Sequence, residues 1–188
     1  PRSAGDARRT RVAIVSLLFN WPSTGGGTVH TAETARFLHR DGYDVRHLSI
    51  RFDPWGLGEV KEPVDWPLRE IAFSEADWHL AAIQERVRAE LDVFQPDAVI
   101  VTDSWSMKPR LAEACRGYPT YLRLAAQECL CPLNNVRLLQ LLPEPVSCPR
   151  QQLATPDACQ RCVGERQHLS GSLHQLERDL AGFGKAEY

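Results

Sequence analysis

The sequence predicts an α/β fold, a Rossmann-like parallel sheet with helices on both faces and a Cys/Pro-rich insertion towards its end. Short apolar runs alternate with longer segments of helical periodicity, which is typical of parallel strands buried on both faces. A glycine-rich turn links the first apolar run to the first helical segment. Five of the six cysteines fall within residues 129–162, which sets that part of the chain apart.

Length and composition favour one soluble domain. The 188 residues are 43% hydrophobic and 24% charged, enough for a core of ordinary size. The net charge of -2 gives no reason to expect nucleic acid as a partner. No apolar run approaches the ~20 residues of a membrane span. We therefore expect a cytoplasmic protein with at most peripheral membrane contact, a disordered lead-in over residues 1–10 and a single domain over residues 11–188.

The first unit is a strand, a glycine loop, a helix and a second strand. Residues 11–19 form a nearly continuous apolar run and predict a buried strand. Helical spacing of apolar residues begins at Thr28, and Gly42 is the expected stop. Residues 43–50 predict the next strand. Four apolar residues mark the buried face of the helix: Val29, Ala32, Ala35 and Leu38.

Further strands and helices continue the alternation. Ser74 is the expected cap of the second helix, and Pro96 ends it. In such sheets ligands bind at the carboxyl ends of the strands, where three loops would meet. The remaining elements are a loop at 51–67, strands at 68–73, 97–102 and 119–126, a helix from Pro109 to Gly117, the insertion at 127–163 and a closing helix at 164–181.

Three consecutive glycines, Gly25 to Gly27, lie where the first strand turns into the first helix. Glycine lets the backbone approach an anion closely and adopt positive φ, and a helix N-terminus offers unpaired N–H groups. The alternative is a turn that needs only flexibility. The dinucleotide fingerprint G-x-G-x-x-G fails because its third glycine would fall on His30, and no Walker sequence follows. An NAD(P)-linked oxidoreductase is therefore a lesser alternative.

The segments RVAIVSLLF, WPSTGGGTVH and TAETARFLHRDGYDVRHLSI resemble the first part of retaining glycosyltransferases of the GT-B type, the family-four group that uses nucleotide sugars. A second match is FQPDAVIVTDSW. The resemblance runs over residues 11–126 and returns in the closing helix. It implies the N-terminal, acceptor-side half of a bacterial hexosyltransferase. The donor-binding C-terminal domain is absent from this chain, so the chain alone is expected to be inactive.

The resemblance also implies the chemistry. An acceptor hydroxyl attacks the anomeric carbon of the donor sugar, and nucleoside diphosphate leaves without a catalytic metal or other cofactor. The partners would be a nucleotide-sugar donor, a sugar or lipid-linked acceptor and the missing C-terminal domain. The glycine loop would lie against the diphosphate and acceptor, which maps to Gly25, Gly26 and Gly27, followed by Thr28 and His30 on the first helical turn. The alternative for His30 is a histidine on the helix face that contacts the neighbouring loop.

Other candidate residues follow the later strands. Many family members carry a histidine after the strand at 119–126, but residues 125–129 contain none, and Gln127 or Glu128 is expected to take over its hydrogen bonding. Asp103 can orient an acceptor hydroxyl, and Trp105 can stack on a sugar or lie buried under the next helix. Arg123 either contacts an anionic group or is an edge arginine paired with Glu128.

The cysteine cluster has two interpretations. A C-x2-C pair with two upstream cysteines fits a tetrahedral zinc site formed by Cys131, Cys148, Cys159 and Cys162. Disulfides or free thiols are the alternative. In either case the cluster would stabilise an insertion that lacks its own core. A stand-alone, cysteine-stapled binding module is the main alternative to an enzyme.

Overall fold

Five parallel strands form the centre of the fold and confirm the predicted Rossmann-like class. They are β1 (Arg11–Leu17), β2 (Asp44–Phe52), β3 (Leu68–Phe73), β4 (Ala98–Val101) and β5 (Thr120–Leu122), in the order β3-β2-β1-β4-β5. The structure is a computed structural model that describes residues 8–17, 19–56, 58–102, 108–124, 138–139, 146–151 and 153–166. Its helices are α1 (Gly26–Arg40), α2 (Leu80–Phe94), α3 (Lys108–Ala114) and α4 (Pro156–Arg166). The antiparallel strands β6 (Leu138–Leu139) and β7 (Val146–Ser147) pair separately.

Helices α2 and α3 cover one face of the sheet. Alternate residues of β1, such as Ala13 and Val15, point to this face, as the period of a strand requires. Ile83 and Leu91 of α2 and Leu111 of α3 pack against them, and all five side chains are fully buried. This face forms the larger of the two apolar clusters.

Helix α1 covers part of the other face. Ile14 of β1 and Val45 of β2 are buried against Ala32 and Ala35 of α1, as the helical spacing predicted. Trp66, from the loop between β2 and β3, is buried in the same cluster. Gly42 ends α1 with a φ of 90°, a conformation that favours glycine.

Several predicted boundaries shift in the structure. Helix α1 begins two residues before Thr28, and β1 ends at Leu17. Ser74 does not cap α2, because its hydroxyl donates to Asp77 and the imidazole of His79 accepts from Ala82 N instead. Strand β5 is shorter than residues 119–126. Helix α4 begins within the predicted insertion at 127–163 and ends three residues into the predicted closing helix at 164–181, and the rest of that helix lies outside the described residues.

Two further observations concern the predicted lead-in and the membrane. Arg8 belongs to the segment predicted as lead-in, and it forms an ion pair with Asp97. No helix in the part of the chain that the structure describes combines the length and apolar character needed to span a bilayer.

A buried polar chain links β1, β2 and the β2–β3 loop. His47 is fully buried and lies between Ser16 Oγ, 2.7 Å from its Nε2, and Trp66 Nε1, 3.3 Å from its Nδ1. An indole N–H can only donate, so Nδ1 accepts and Nε2 carries the proton that is donated to Ser16. Burial lowers the pKa of His47 to about 3, which keeps the imidazole neutral. Phe19 packs edge-on against the same ring.

Two buried serines provide a matched pair for stability measurements. Ser16 and Ser49 are register partners on β1 and β2, and both are fully buried. Ser16 accepts from His47, whereas the Ser49 hydroxyl has no partner among the described residues. We predict that Ser16→Ala lowers the free energy of unfolding by about 1–3 kcal/mol, because it leaves a buried N–H unpaired. Ser49→Ala should be neutral or stabilising. Urea denaturation measures both, and equal losses would contradict the assignment.

The buried imidazole predicts a pH dependence of stability. In the unfolded chain His47 binds a proton near the ordinary histidine pKa of 6.5, whereas the folded imidazole does so only near about 3. The contribution of neutral His47 to the free energy of unfolding is therefore complete above pH 6.5. It falls as the pH is lowered towards 3, by up to about 1.4 kcal/mol per pH unit. His47→Gln should remove this slope from the difference between variant and wild type, measured by urea denaturation from neutral pH downwards. Parallel pH profiles of unfolding free energy for His47→Gln and the wild type would contradict this prediction.

Candidate functional site

The candidate site lies where the sheet reverses its strand order. β1 pairs in parallel with β2 on one side and β4 on the other. The connection from β1 runs through α1 on one face, and the connection from β4 runs through α3 on the opposite face. The two connections therefore diverge at the carboxyl ends of β1 and β4. Open α/β sheets bind ligands at such points.

The glycine loop leads directly into α1. Gly25 is the N-cap with φ -71° and ψ 122°, and helical structure begins at Gly26. The described residues with positive φ do not include any of the three glycines, so the loop does not use that freedom. A Cβ added to Gly26 would meet nothing within 4 Å. Neither backbone conformation nor packing in the described part thus requires glycine at this position, and the space above it is open to a ligand.

The N-terminus of α1 carries no negative charge that would offset its helix dipole. It has no side-chain cap and no acidic residue in its first turn. Val29 N donates to Gly25 O at 3.0 Å, but the N–H groups of Gly26, Gly27 and Thr28 have no acceptor among the described residues. Aligned, unpaired N–H groups carry about half a positive charge at a helix start. This geometry suits a bound anion.

Arg123 extends this positive region. It follows β5, and its Nη1 lies 3.3 Å from Gly27 O and 3.4 Å from Thr31 Oγ1. Its backbone N–H donates to Val101 O at 2.9 Å, which fixes the residue against β4. The half-buried guanidinium is therefore held beside the first turn of α1. Glu128, its partner in the alternative interpretation, lies outside the described residues, so contact with an anion stays a prediction.

Contacts from neighbouring loops hold the glycine loop in place. Ser23 Oγ accepts from Gly25 N at 3.0 Å. Trp21 N donates to Glu59 O at 2.9 Å, and its carbonyl accepts from Lys61 N at 2.7 Å. The chain leaving β1 is thus pinned to the β2–β3 loop before it reaches the glycines.

Arg36 on α1 contacts the β2–β3 loop and the segment that leads to the glycines. The Arg36 guanidinium lies 5.9 Å from the centre of the Trp21 ring and 5.5 Å from that of Trp66. Hydrogen bonds from Arg36 and Arg40 hold the pKa of the Asp65 carboxyl below its usual value. The pairing with Asp65 also raises the pKa of Arg36. These contacts tie α1 to the β2–β3 loop.

The remaining sequence-predicted residues fall into two groups. His30 is exposed, and its Nδ1 lies 3.2 Å from Thr34 Oγ1 one turn further along α1, so this contact is within the helix and not with the neighbouring loop. The candidates of the later loops lie outside the described residues: Asp103, Trp105, Gln127 and Glu128.

Sequence reasoning missed two buried polar residues near this edge. Thr31 is fully buried, bonds to Gly27 O at 3.0 Å and faces Arg123. A hydroxyl on the otherwise apolar buried stripe of α1 was the available signal. Lys108 is only 2% exposed at the first position of α3. Its place directly after the 103–107 loop, in a chain with few lysines, could have indicated it.

The structure describes four of the six cysteines: Cys115, Cys148, Cys159 and Cys162. Cys159 is buried on α4, and Cys162 and Cys148 are half-buried. Within the described ranges no group of three or more potential ligands could hold a metal, and Cys131 lies outside them. The zinc site stays a prediction. Cys115 is separate from the cluster, and burial raises the pKa of its thiol to about 11, which leaves it unreactive.

Comparison with known proteins adds little to this geometry. No protein-family model matches the chain, and no curated protein matches it. Two crystal structures of the C-terminal domain of a hydrogenase from Pyrococcus furiosus are similar at 19% and 17% identity, covering 62% and 65% of this chain and 93% and 99% of theirs. Their TM-scores are 0.44 and 0.43. At that level the likeness carries no argument about chemistry.

The zinc prediction can be tested by metal analysis. If the four cysteines bind zinc, the purified protein should contain about one equivalent, and chelation should lower its melting temperature because metal binding contributes to folding. Cys162→Ser should lose the metal, whereas Cys115→Ala, outside the cluster, should retain it. Metal-free protein with unchanged melting would end the zinc interpretation.

Proposed function

We propose that this chain is the acceptor-side N-terminal domain of a retaining glycosyltransferase, which transfers a sugar from a nucleotide-sugar donor to an acceptor hydroxyl. The observation that supports it most is the uncapped start of α1 with Arg123 beside its first turn. The proposal also rests on the resemblance of residues 11–126 to the family-four transferases. A bacterial, cytoplasmic enzyme is part of the same proposal.

The chemistry suits these groups. When the glycosidic bond to the donor breaks, negative charge grows on the leaving diphosphate. The N–H groups of Gly26, Gly27 and Thr28 would donate to its oxygens, and Arg123 would add a full positive charge. Donors fixed in place before the reaction stabilise such charge without reorganising. The open space above Gly26 lets a phosphate reach the backbone.

The acceptor would bind on the same side. Asp103 and Glu128 would orient its hydroxyl, Gln127 would add a hydrogen bond, and Trp105 would stack on a sugar ring. A second domain would supply the nucleotide and sugar contacts, so the chain alone would not complete the transfer. The active unit is then the cleft between the two domains.

The central test uses the complete gene product that contains this chain. A screen of nucleotide sugars should identify a donor whose nucleoside diphosphate is released with acceptor present. Gly26→Val should lower kcat/KM by about tenfold or more, because branched methyl groups would fill the space where a phosphate approaches; tenfold corresponds to about 1.4 kcal/mol.

His39→Val is the matched control, since it places the same side chain at an exposed position near the far end of α1. It should leave kcat/KM unchanged, and both variants should retain the wild-type melting temperature within a few degrees. Unchanged kcat/KM in Gly26→Val would refute the role of the loop. Nicotinamide-dinucleotide binding would instead favour an oxidoreductase.

A further inference from the structure

Two threonines on α1 make the same local hydrogen bond but differ in their surroundings. The Thr31 hydroxyl donates to Gly27 O at 3.0 Å, and the Thr34 hydroxyl donates to His30 O at 2.8 Å, in each case to the carbonyl four residues back. Threonine often makes such bonds inside helices. Thr31 is fully buried, whereas Thr34 is half-buried and has His30 Nδ1 as its second contact. What distinguishes Thr31 is therefore its second contact.

That second contact is the guanidinium of Arg123. Its Nη1 lies 3.4 Å from Thr31 Oγ1 and 3.3 Å from Gly27 O, so the three groups contact one another. A hydroxyl has one proton, and Thr31 donates it to Gly27 O. The Thr31 oxygen therefore meets the arginine with its lone pairs, as an acceptor for a cation.

The Thr31 side chain is itself well fixed. It is fully buried, its β-branch restricts χ1, and the bond to Gly27 O favours one orientation of the hydroxyl. An arginine side chain loses much rotamer freedom when it is held in one place. If that ordering is complete before a ligand arrives, binding does not have to supply it. The contact with Thr31 is suited to order Arg123 in advance.

We propose that Thr31 is a positioning residue for the anion site: its hydroxyl holds the Arg123 guanidinium at the first turn of α1, beside the N–H groups of Gly26 and Gly27. The five N–H donors of a guanidinium let one arginine bind a helix and an oxyanion at once. Thr31 does not touch the anion and acts through Arg123. The inference rests on the proposed function, because it specifies how one cation of that site is held.

NMR of the 188-residue chain tests the contact without any ligand. Thr31→Val nearly keeps the size of the side chain and removes the acceptor, so the Arg123 Nε–H signal should shift and its heteronuclear NOE should fall. Loss of the signal in Arg123→Lys assigns it. Thr31→Ser keeps the hydroxyl and should retain the wild-type signal. Thr34→Val is the matched control, since it removes the same local bond and leaves the contact to Arg123 in place.

Inorganic pyrophosphate is the probe for the site itself. On titration the amide signals of Gly26, Gly27 and Thr28 should shift. Thr31→Val should raise the Kd about three- to tenfold, the range expected for one lost hydrogen bond. Arg123→Gln should raise it further, because it removes a full charge. In the Arg123→Gln background, Thr31→Val should have no additional effect, because the two residues act as a unit.

The outcomes separate this inference from the proposed function. An unchanged Arg123 signal in Thr31→Val, an equal change in Thr34→Val, or the same loss of affinity with and without Arg123 would overturn the role of Thr31 and leave the proposed function standing. A wild-type chain that binds no pyrophosphate would overturn the anion site of the proposed function and, with it, this inference.

Discussion

Parallel pairing of β1 with both β2 and β4 is the constraint from which the candidate site follows. Parallel neighbours need crossover connections, and right-handed crossovers to the left and to the right must lie on opposite faces. Helix α1 and helix α3 therefore start at the same edge of the sheet but diverge. The point at which they diverge is a result of topology, and the residues placed there decide what can bind. Here they are glycines and an arginine, both suited to an anion.

Strands and helices were largely predictable, because apolar period and length depend on local sequence. β1 to β4 and the glycine turn follow directly from short apolar runs and from the glycine, proline and polar residues that bound them. Ser74 was misassigned as a cap because Asp77, three residues on, competes for its hydroxyl, and His79 begins the helix instead. Local chemistry of this kind decides boundaries more than it decides which elements exist.

The contacts at the site were less predictable. Arg123 and Gly27 are 96 residues apart in sequence, and nothing local to either residue indicates the other. The first helix was expected to begin at Thr28, yet Gly26 and Gly27 already belong to it, and none of the three glycines has a positive φ. What matters at Gly26 is the missing Cβ, which leaves space above the backbone. A sequence pattern cannot distinguish a glycine needed for space from one needed for flexibility. Thr31 was overlooked for a similar reason, since its partner comes from the far edge of the sheet.

Arg123 directly follows β5, the edge strand of the described sheet, so it depends on that strand for its position. β5 has three residues and pairs with β4 alone among the described strands, so it is the part of the sheet with the fewest bonds to break. Edge segments open locally at free energies well below that of global unfolding. Fraying there would carry the guanidinium away from α1 while the central strands stay folded. The first turn of α1 would then lose the cation beside it, and the proposed anion binding would weaken, at temperatures where the core remains intact.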